Sequence, residues 1–268
     1  MSELRTVGIV GLGRMGRTLA AAFGRAVGPG GLHASGRSAA SVEQLRRAVP
    51  GVRITPLREL PGAAALLVLC TPQSALSAVL GDLRPGLTAD HVVVTISNRQ
   101  PLSVLAGAVP GPVAKLIPSA GNEIGAGATL LVPGPGMTEA ATENLLALLR
   151  SFSTPFVIGE EQGRAATDLA SCGPALLAEA AVSMARAQCE RGAPLPRELA
   201  ERLVSCSLEA AGRLVGGGAT PAEVIERVAV PGGNTAAGIE AAREGLDAAW
   251  RAAFRATQDN ERSDRHPH

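Results

Sequence analysis

"GIVGLGRMGRTLA", residues 8–20, decides the fold. It closes a short apolar run, spaces three glycines as G-x-G-x-x-G and runs directly into a helix-forming stretch. Strand, tight turn and helix in that order are what a dinucleotide fold requires. Gly11 permits the turn, Gly13 lets a diphosphate approach the backbone, and Gly16 lets helix and strand pack closely. Arg14 and Met15 lie in the same loop and join the candidate cofactor contacts. The free N–H groups and partial positive charge at the helix start favour a phosphate there.

Outward from this loop, the first 160 residues alternate short β-branched runs with helix-like stretches. Strand candidates lie at 6–10, 32–35, 52–55, 65–70, 91–97, 113–117, 128–132 and 155–158. Most lack in/out alternation, as expected of strands covered on both faces in a parallel sheet. The fold class is therefore α/β, beginning with a Rossmann-like doubly wound sheet over residues 1–162.

After Gly163 the strand signal ends and the chain reads as helix. One helix is expected from about Arg164 to Glu190, closed by "RGAPLP". A second starts at Pro196 and carries Leu199, Leu203, Cys206, Ala210 and Leu214 on one stripe. A short helix "PAEVIERV" leads to "PGGNT", and Ile239, Ala242, Leu246, Trp250 and Phe254 mark the apolar face of a last helix. These Ala-rich helices hold few bulky side chains, so an all-α dimerisation domain over 163–258 is expected, packed against a second copy as a homodimer or an oligomer of dimers. Residues 259–268 read as a disordered tail, with His266 and His268 on a solvated terminus.

The second candidate strand ends in "HASGRSAAS". NAD sites usually carry an acid ~20 residues past the glycine loop, on the ribose hydroxyls. Here Ser35, Arg37 and Ser38 stand without a carboxylate, a combination suited to a 2′-phosphate, so NADPH is the expected cofactor. "CTPQ", residues 70–73, places Thr71 and Pro72 along that cofactor at the end of the fourth strand.

Composition excludes other classes. The 268 residues carry a net charge of +1, 2% aromatics and no tyrosine, so neither the charge nor the stacking platforms of a nucleic-acid binder are present. Cys70, Cys172, Cys189 and Cys206 form no C-x-x-C pair; they read as buried small hydrophobes rather than metal ligands, and no metal is expected. No window approaches ~18 apolar residues and no signal segment is visible, so a small-molecule enzyme of the cytoplasm, without a membrane partner, is expected. Lys115 is the sole lysine.

"GIVGLGRMG", the "TPQ" after the fourth strand, "SCGPALLAEA" in the helical half and "VAVPGGNTAAGIEA" together resemble the pyrroline-5-carboxylate reductases, over nearly the whole chain. The resemblance implies reduction of a cyclic imine by NAD(P)H. It makes Pro231–Thr235 the substrate loop, with Gly232, Gly233 and Asn234 offering N–H groups to a carboxylate and Thr235 hydrogen-bonding the imine nitrogen. Asn234 or Thr235 as a plain helix cap satisfies the same residues.

Departures cluster on the substrate side. The family's M-P-N-T-P reads here "IPSAG", giving Ser119 and Ala120; S-G-S-G-P-A-Y reads "ASCGPAL", with Ala170, Cys172 and Leu176; Val230 replaces the serine before P-G-G; and "ISNRQP" brings Asn98 and Arg99. Ser119 and Cys172 thus become candidate substrate contacts, while Arg99 and Lys115 are either a carboxylate clamp or surface charges. The pattern implies a non-standard imine in a specialised pathway, or a dimeric scaffold that has lost reduction. The β-hydroxyacid dehydrogenases share "GLGRMG", but their catalytic lysine is absent from residues 164–190.

Overall fold

A computed structural model describes residues 4–28, 30–190 and 195–263. Its strands are β1 (Val7–Val10), β2 (Leu32–Ser35), β3 (Arg53–Ile54), β4 (Leu66–Leu69), β5 (Val92–Thr95), β6 (Val113–Ile117), β7 (Ala128–Pro133) and β8 (Thr154–Val157). They form one sheet in the order β3-β2-β1-β4-β5-β6-β7-β8. The expected strand positions hold, with ends moved by one or two residues. β1 to β6 run parallel, but β7 is antiparallel to β6 and β8 follows β7. Only Pro118–Gly127 separates β6 from β7, too short for the crossover of a dozen or more residues that a parallel return needs.

Alternate strand residues serve opposite faces, which explains why these segments are apolar throughout. Val7, Ile9, Leu66, Val68, Val92 and Val94 pack with Leu19 and Phe23 of α1 (Arg14–Val27), Leu45 of α2 (Ala39–Ala48) and Leu145 and Leu149 of α6 (Glu139–Arg150). Val10, Leu67, Leu69 and Val93 pack with Leu60 of α3 (Leu60–Ala63), Leu76 and Leu80 of α4 (Gln73–Leu83) and Leu102 and Leu105 of α5 (Leu102–Ala108). On the first face Phe23 meets Phe152 edge-on, centroids 5.0 Å apart. Such a pair adds about 0.5–1.5 kcal/mol to its area burial.

The chain divides into two compact units between Pro174 and Ala175, later than the expected boundary at residue 162. The reason is a broken helix. Instead of one helix from Arg164, α7 (Gly163–Ala170) ends and α8 (Gly173–Glu190) begins. Ser171 and Cys172 both turn back onto the Thr167 carbonyl, and Pro174 lacks the N–H that a continuing helix would use. α7 packs on β7, so it belongs to the sheet unit.

The second unit comprises most of α8 with α9 (Arg197–Gly216), α10 (Pro221–Val228) and α11 (Asn234–Ser263). The expected "RGAPLP" closure of α8 falls largely on residues 191–194, outside the described residues. α11 continues through Ser263, so residues 259–263 are helical where a disordered tail was expected; residues 264–268 lie outside the described residues. Extending an existing helix adds a hydrogen bond per residue without a new nucleation cost, and Gln, Glu and Arg are good helix formers. His266 and His268 lie outside the described residues.

The expected stripes form, with Ile239, Trp250 and Phe254 of α11 half-buried and much of the rest exposed. Leu199, Leu203 and Leu214 of α9 are exposed, as is Leu246 of α11, and Ala200 is the residue of α9 that is fully buried. Among the described residues, no helix is long and apolar enough to cross a membrane. The cysteines depart from expectation: Cys206 is exposed and the other three are half-buried.

Candidate functional site

β1 and β4 are neighbours at the point where strand order reverses, and the carboxyl ends of both run into helix N-termini. In open α/β sheets this is where ligands bind. Gly11 has φ +94°, a conformation L-residues rarely adopt, and its N–H donates to the Ser35 carbonyl at 2.9 Å. A Cβ on Gly16 would collide with the Gly11 carbonyl oxygen. A Cβ on Gly13 would meet nothing within 4 Å, so open space lies above it. The three glycines therefore differ in their surroundings: a positive φ, open space and close backbone contact.

Gly13 caps α1 without a side chain, and no acid lies in the first turn of that helix. Its amide dipoles are left uncompensated, a good setting for an anion. Arg14 is exposed and Met15 half-buried against the core. Arg17 donates to the Leu12 carbonyl at 2.8 Å and holds the loop from beneath. α4 likewise starts at Pro72 with no side-chain cap. Beside it the Thr71 Oγ1 is buried and has no hydrogen-bond partner among the described residues. The open space over Gly13, and an unused buried hydroxyl on Thr71, whose Cγ2 would lie 3.0 Å from a Cβ on Gly11, suit a dinucleotide diphosphate.

At the end of β2, Gly36 lies against Leu12, where a Cβ would sit 2.7 Å from its Cδ1. This contact brings the next residues alongside the glycine loop. Ser35 is half-buried, and Arg37 and Ser38 are exposed. The Ser38 hydroxyl also has a structural task, since it accepts from the Ser41 N–H at 3.4 Å and caps α2. At the end of β4, Cys70 is half-buried as a residue, but desolvation of its thiol pushes the pKa up to about 12.

Beyond β5 the structure assembles a polar cluster that sequence reading left unassigned. Lys115 sits in β6 between apolar neighbours and is 4% exposed. Its Nζ donates to the Asn98 carbonyl at 3.2 Å and to the Glu160 Oε1 at 3.1 Å. The same Oε1 accepts from the Leu102 N–H at 3.1 Å. Burial opposes ionisation of Glu160, but the hydrogen bonds from Lys115 and Leu102 and the lysine charge outweigh it and hold the carboxyl below its ordinary range. Asn98 Nδ2 donates to the Thr167 Oγ1 at 3.3 Å. Lys115 is thus neither a surface charge nor an open clamp. A charge inside an apolar strand must be paired, which signals a partner without saying that it is Glu160.

Ser119 also needs correction. It is 0% exposed, and its hydroxyl accepts from the Gly121 N–H at 3.4 Å, capping the short 3-10 turn Ala120–Ile124. The Asn122 side chain answers by accepting from the Ser119 N–H at 2.9 Å and from Thr129 Oγ1 at 3.2 Å. A hydroxyl so enclosed offers nothing to a substrate. Cys172 is half-buried at the α7–α8 break, its Sγ 3.8 Å from an Arg164 guanidinium nitrogen.

In the second unit, Gly232 turns the chain with φ +74°. The Gly233 carbonyl accepts the first helical bond of α11, from Ala237 at 3.2 Å. Gly233 therefore occupies the cap position considered for Asn234 or Thr235, and as a glycine it covers none of the helix N–H groups. Asn234 and Thr235 are exposed in the first turn. Among the described residues, no group of three His, Cys, Asp or Glu could hold a metal.

Comparison with known proteins matches both units. A Rossmann-like domain model covers residues 2–113, and one for pyrroline-5-carboxylate reductase dimerisation covers residues 160–264. A Methanosarcina acetivorans pyrroline-5-carboxylate reductase is 26% identical over 94% of this chain and 93% of its own length. The Bacillus subtilis ComE operon protein 4 is also 26% identical, with the same coverage. The chain thus pairs a Rossmann-like domain with a pyrroline-5-carboxylate reductase dimerisation domain, and is similar over most of its length to pyrroline-5-carboxylate reductases. Among solved structures, the reductase from Coxiella burnetii has a TM-score of 0.86 at 19% identity, covering 96% of this chain and 97% of that one. The Plasmodium falciparum enzyme with NADP bound has a TM-score of 0.78 at 19% identity, covering 98% and 99%. At such identity they establish the fold alone.

The departures of this chain from the pyrroline-5-carboxylate reductase pattern now have partial accounts. Ser119 is a buried cap and Asn98 is a tie between the β5–α5 loop and α7. Nothing in the structure explains Leu176 or Val230.

Proposed function

We propose that this chain is an NADPH-dependent reductase of a cyclic imine carrying a carboxylate, with pyrroline-5-carboxylate itself a poor substrate. The observation that carries the reading is the contrast between an intact glycine cradle, down to the open space above Gly13, and rewritten segments elsewhere. Gly11, Gly13, Gly16 and the unused Thr71 hydroxyl hold the diphosphate, with Arg14, Met15 and Pro72 beside it. Ser35, Arg37 and Ser38 take the 2′-phosphate, with no acid to repel it. The N–H groups after Gly232 and Gly233, with Asn234, bind the carboxylate, and Cys172 contributes to substrate shape.

The reduced nicotinamide supplies the hydride. A protonated imine is already electrophilic, so alignment rather than strong acid–base chemistry is the requirement. Thr235 accepts a hydrogen bond from the iminium N–H and keeps it as the nitrogen becomes an amine. A ketone would instead need a proton for its developing alkoxide.

The test is a panel of five- and six-membered imino acids followed by loss of NADPH absorbance. Best turnover with an imine other than pyrroline-5-carboxylate is expected. If pyrroline-5-carboxylate is best, the specialised-substrate reading is wrong; NADPH binding with no imine reduced would establish a scaffold instead.

Two further results are expected. Wild type binds NADPH more tightly than NADH, and Arg37→Ala weakens NADPH alone by about 10- to 100-fold, the worth of one charge-assisted contact. Calorimetric titration of both cofactors checks this. In solution the protein is a homodimer or an oligomer of dimers, because Leu199, Leu203 and Leu214 of α9 and Leu246 of α11 are exposed. Light scattering at micromolar concentration should show no 27.1 kDa monomer.

A further inference from the structure

The β6 position of Lys115 does not need a charge. Its neighbours Val113, Ala114, Leu116 and Ile117 are all buried, and an apolar side chain of similar length would suit the strand as well or better. What Lys115 does is reach across to the loop that follows β5. That loop is fixed at several points: Ser97 N–H to Thr95 Oγ1 at 3.1 Å, Asn98 to Thr167, Asn98 carbonyl to Lys115, and Leu102 N–H to the Glu160 carboxylate that Lys115 also holds.

Position gives the loop its meaning. A doubly wound sheet of order 3-2-1-4-5-6 consists of two mononucleotide-binding halves, and the loops at the carboxyl ends of its strands line the ligand. The glycine loop and "HASGRS" belong to the β1–β3 half. The β5–α5 loop belongs to the other half, which receives the second nucleotide of the pair, the nicotinamide.

Resting on the NADPH reading above, we propose that Lys115 is a positioning residue: through Asn98 and Glu160 it sets the backbone of residues 97–102 at the nicotinamide half of the cofactor site. It touches neither substrate nor cofactor. It fixes the wall against which the nicotinamide is aligned, while the diphosphate and 2′-phosphate contacts lie elsewhere.

Lys115→Met keeps the length of the side chain and removes its charge; Lys115→Arg keeps the charge and the donors. In cofactor-free protein, amides 97–102 of Lys115→Met should exchange hydrogen at least about 10-fold faster than in wild type, while those of β1 and α1 do not change. Its NADPH dissociation constant should stay within about 3-fold of wild type, as for changes away from the contacts themselves. Turnover of the best imine should fall at least about 10-fold, as misplacement of a reacting group predicts. Lys115→Arg should restore both exchange and turnover.

Unchanged exchange in Lys115→Met overturns the proposal. So does a fall in turnover matched by an equal loss of NADPH affinity, or an arginine variant that behaves like the methionine one. If wild type reduces no imine, the emission of bound NADPH replaces turnover: altered emission in Lys115→Met at unchanged affinity supports the proposal, and identical emission overturns it. If wild type binds no NADPH, the functional reading fails separately and the proposal fails with it, whereas a brace without a ligand is still reported by exchange.

Discussion

Gly16→Ala is expected to weaken NADPH binding ~100-fold or more and to weaken the fold, whereas Gly13→Ala should weaken binding as strongly and leave the fold intact. The two glycines stand three residues apart in one loop, yet their surroundings differ completely. A Cβ at Gly16 would collide with the Gly11 carbonyl oxygen and come within 3.3 Å of the Cys70 Cβ. Both obstacles are close to the backbone and cannot swing away, so α1 must move off the sheet. Overpacking of this kind costs about 1–3 kcal/mol. Displacing the start of α1 also misplaces every N–H aimed at the diphosphate, and a shift near 1 Å is enough for ~100-fold.

At Gly13 the reverse holds. Its φ of −65° is open to any residue and nothing lies within 4 Å of an added Cβ. Alanine there is free to fold and fills the space a diphosphate would take. Thermal unfolding and NADPH titration of both variants check the pair. A Gly13→Ala protein that binds NADPH like wild type would remove the diphosphate from this loop.

On the proposed function, Thr235→Val should reduce imine turnover by ~10- to 1000-fold, the range for one hydrogen bond that strengthens in the transition state. Valine keeps the β-branched shape and loses the hydroxyl. Thr235 is exposed in the first turn of α11, so folding is not at stake. The NADPH dissociation constant should be unchanged and Thr235→Ser should keep most of the activity. Steady-state kinetics on the best imine of the panel decides it; equal turnover in wild type and Thr235→Val excludes any catalytic role for this hydroxyl.

Sequence by itself determined the sheet unit. The strands of an α/β fold are short, apolar on both faces and separated by turn residues, so each is legible within its own few residues, from "TVGIV" to "PFVI". The glycine loop is as local: its φ requirement at Gly11 and its close approach at Gly16 lie within one turn of chain. The helices beyond Gly163 and their apolar stripes were legible for the same reason, through a period of 3.6.

Tertiary structure alone decided what depends on partners distant in sequence. Lys115 reads as a lone cation in an apolar strand until Glu160 and Asn98 are folded against it. Ser119 reads as an available hydroxyl, and burial beneath its own turn makes it a cap. The antiparallel turn into β7, the break before Pro174 and the extension of α11 to Ser263 follow from crossover length, a missing donor and helix propagation. Spacing along the chain sets none of these partners, because side-chain pairing depends on which surfaces the sheet order brings together.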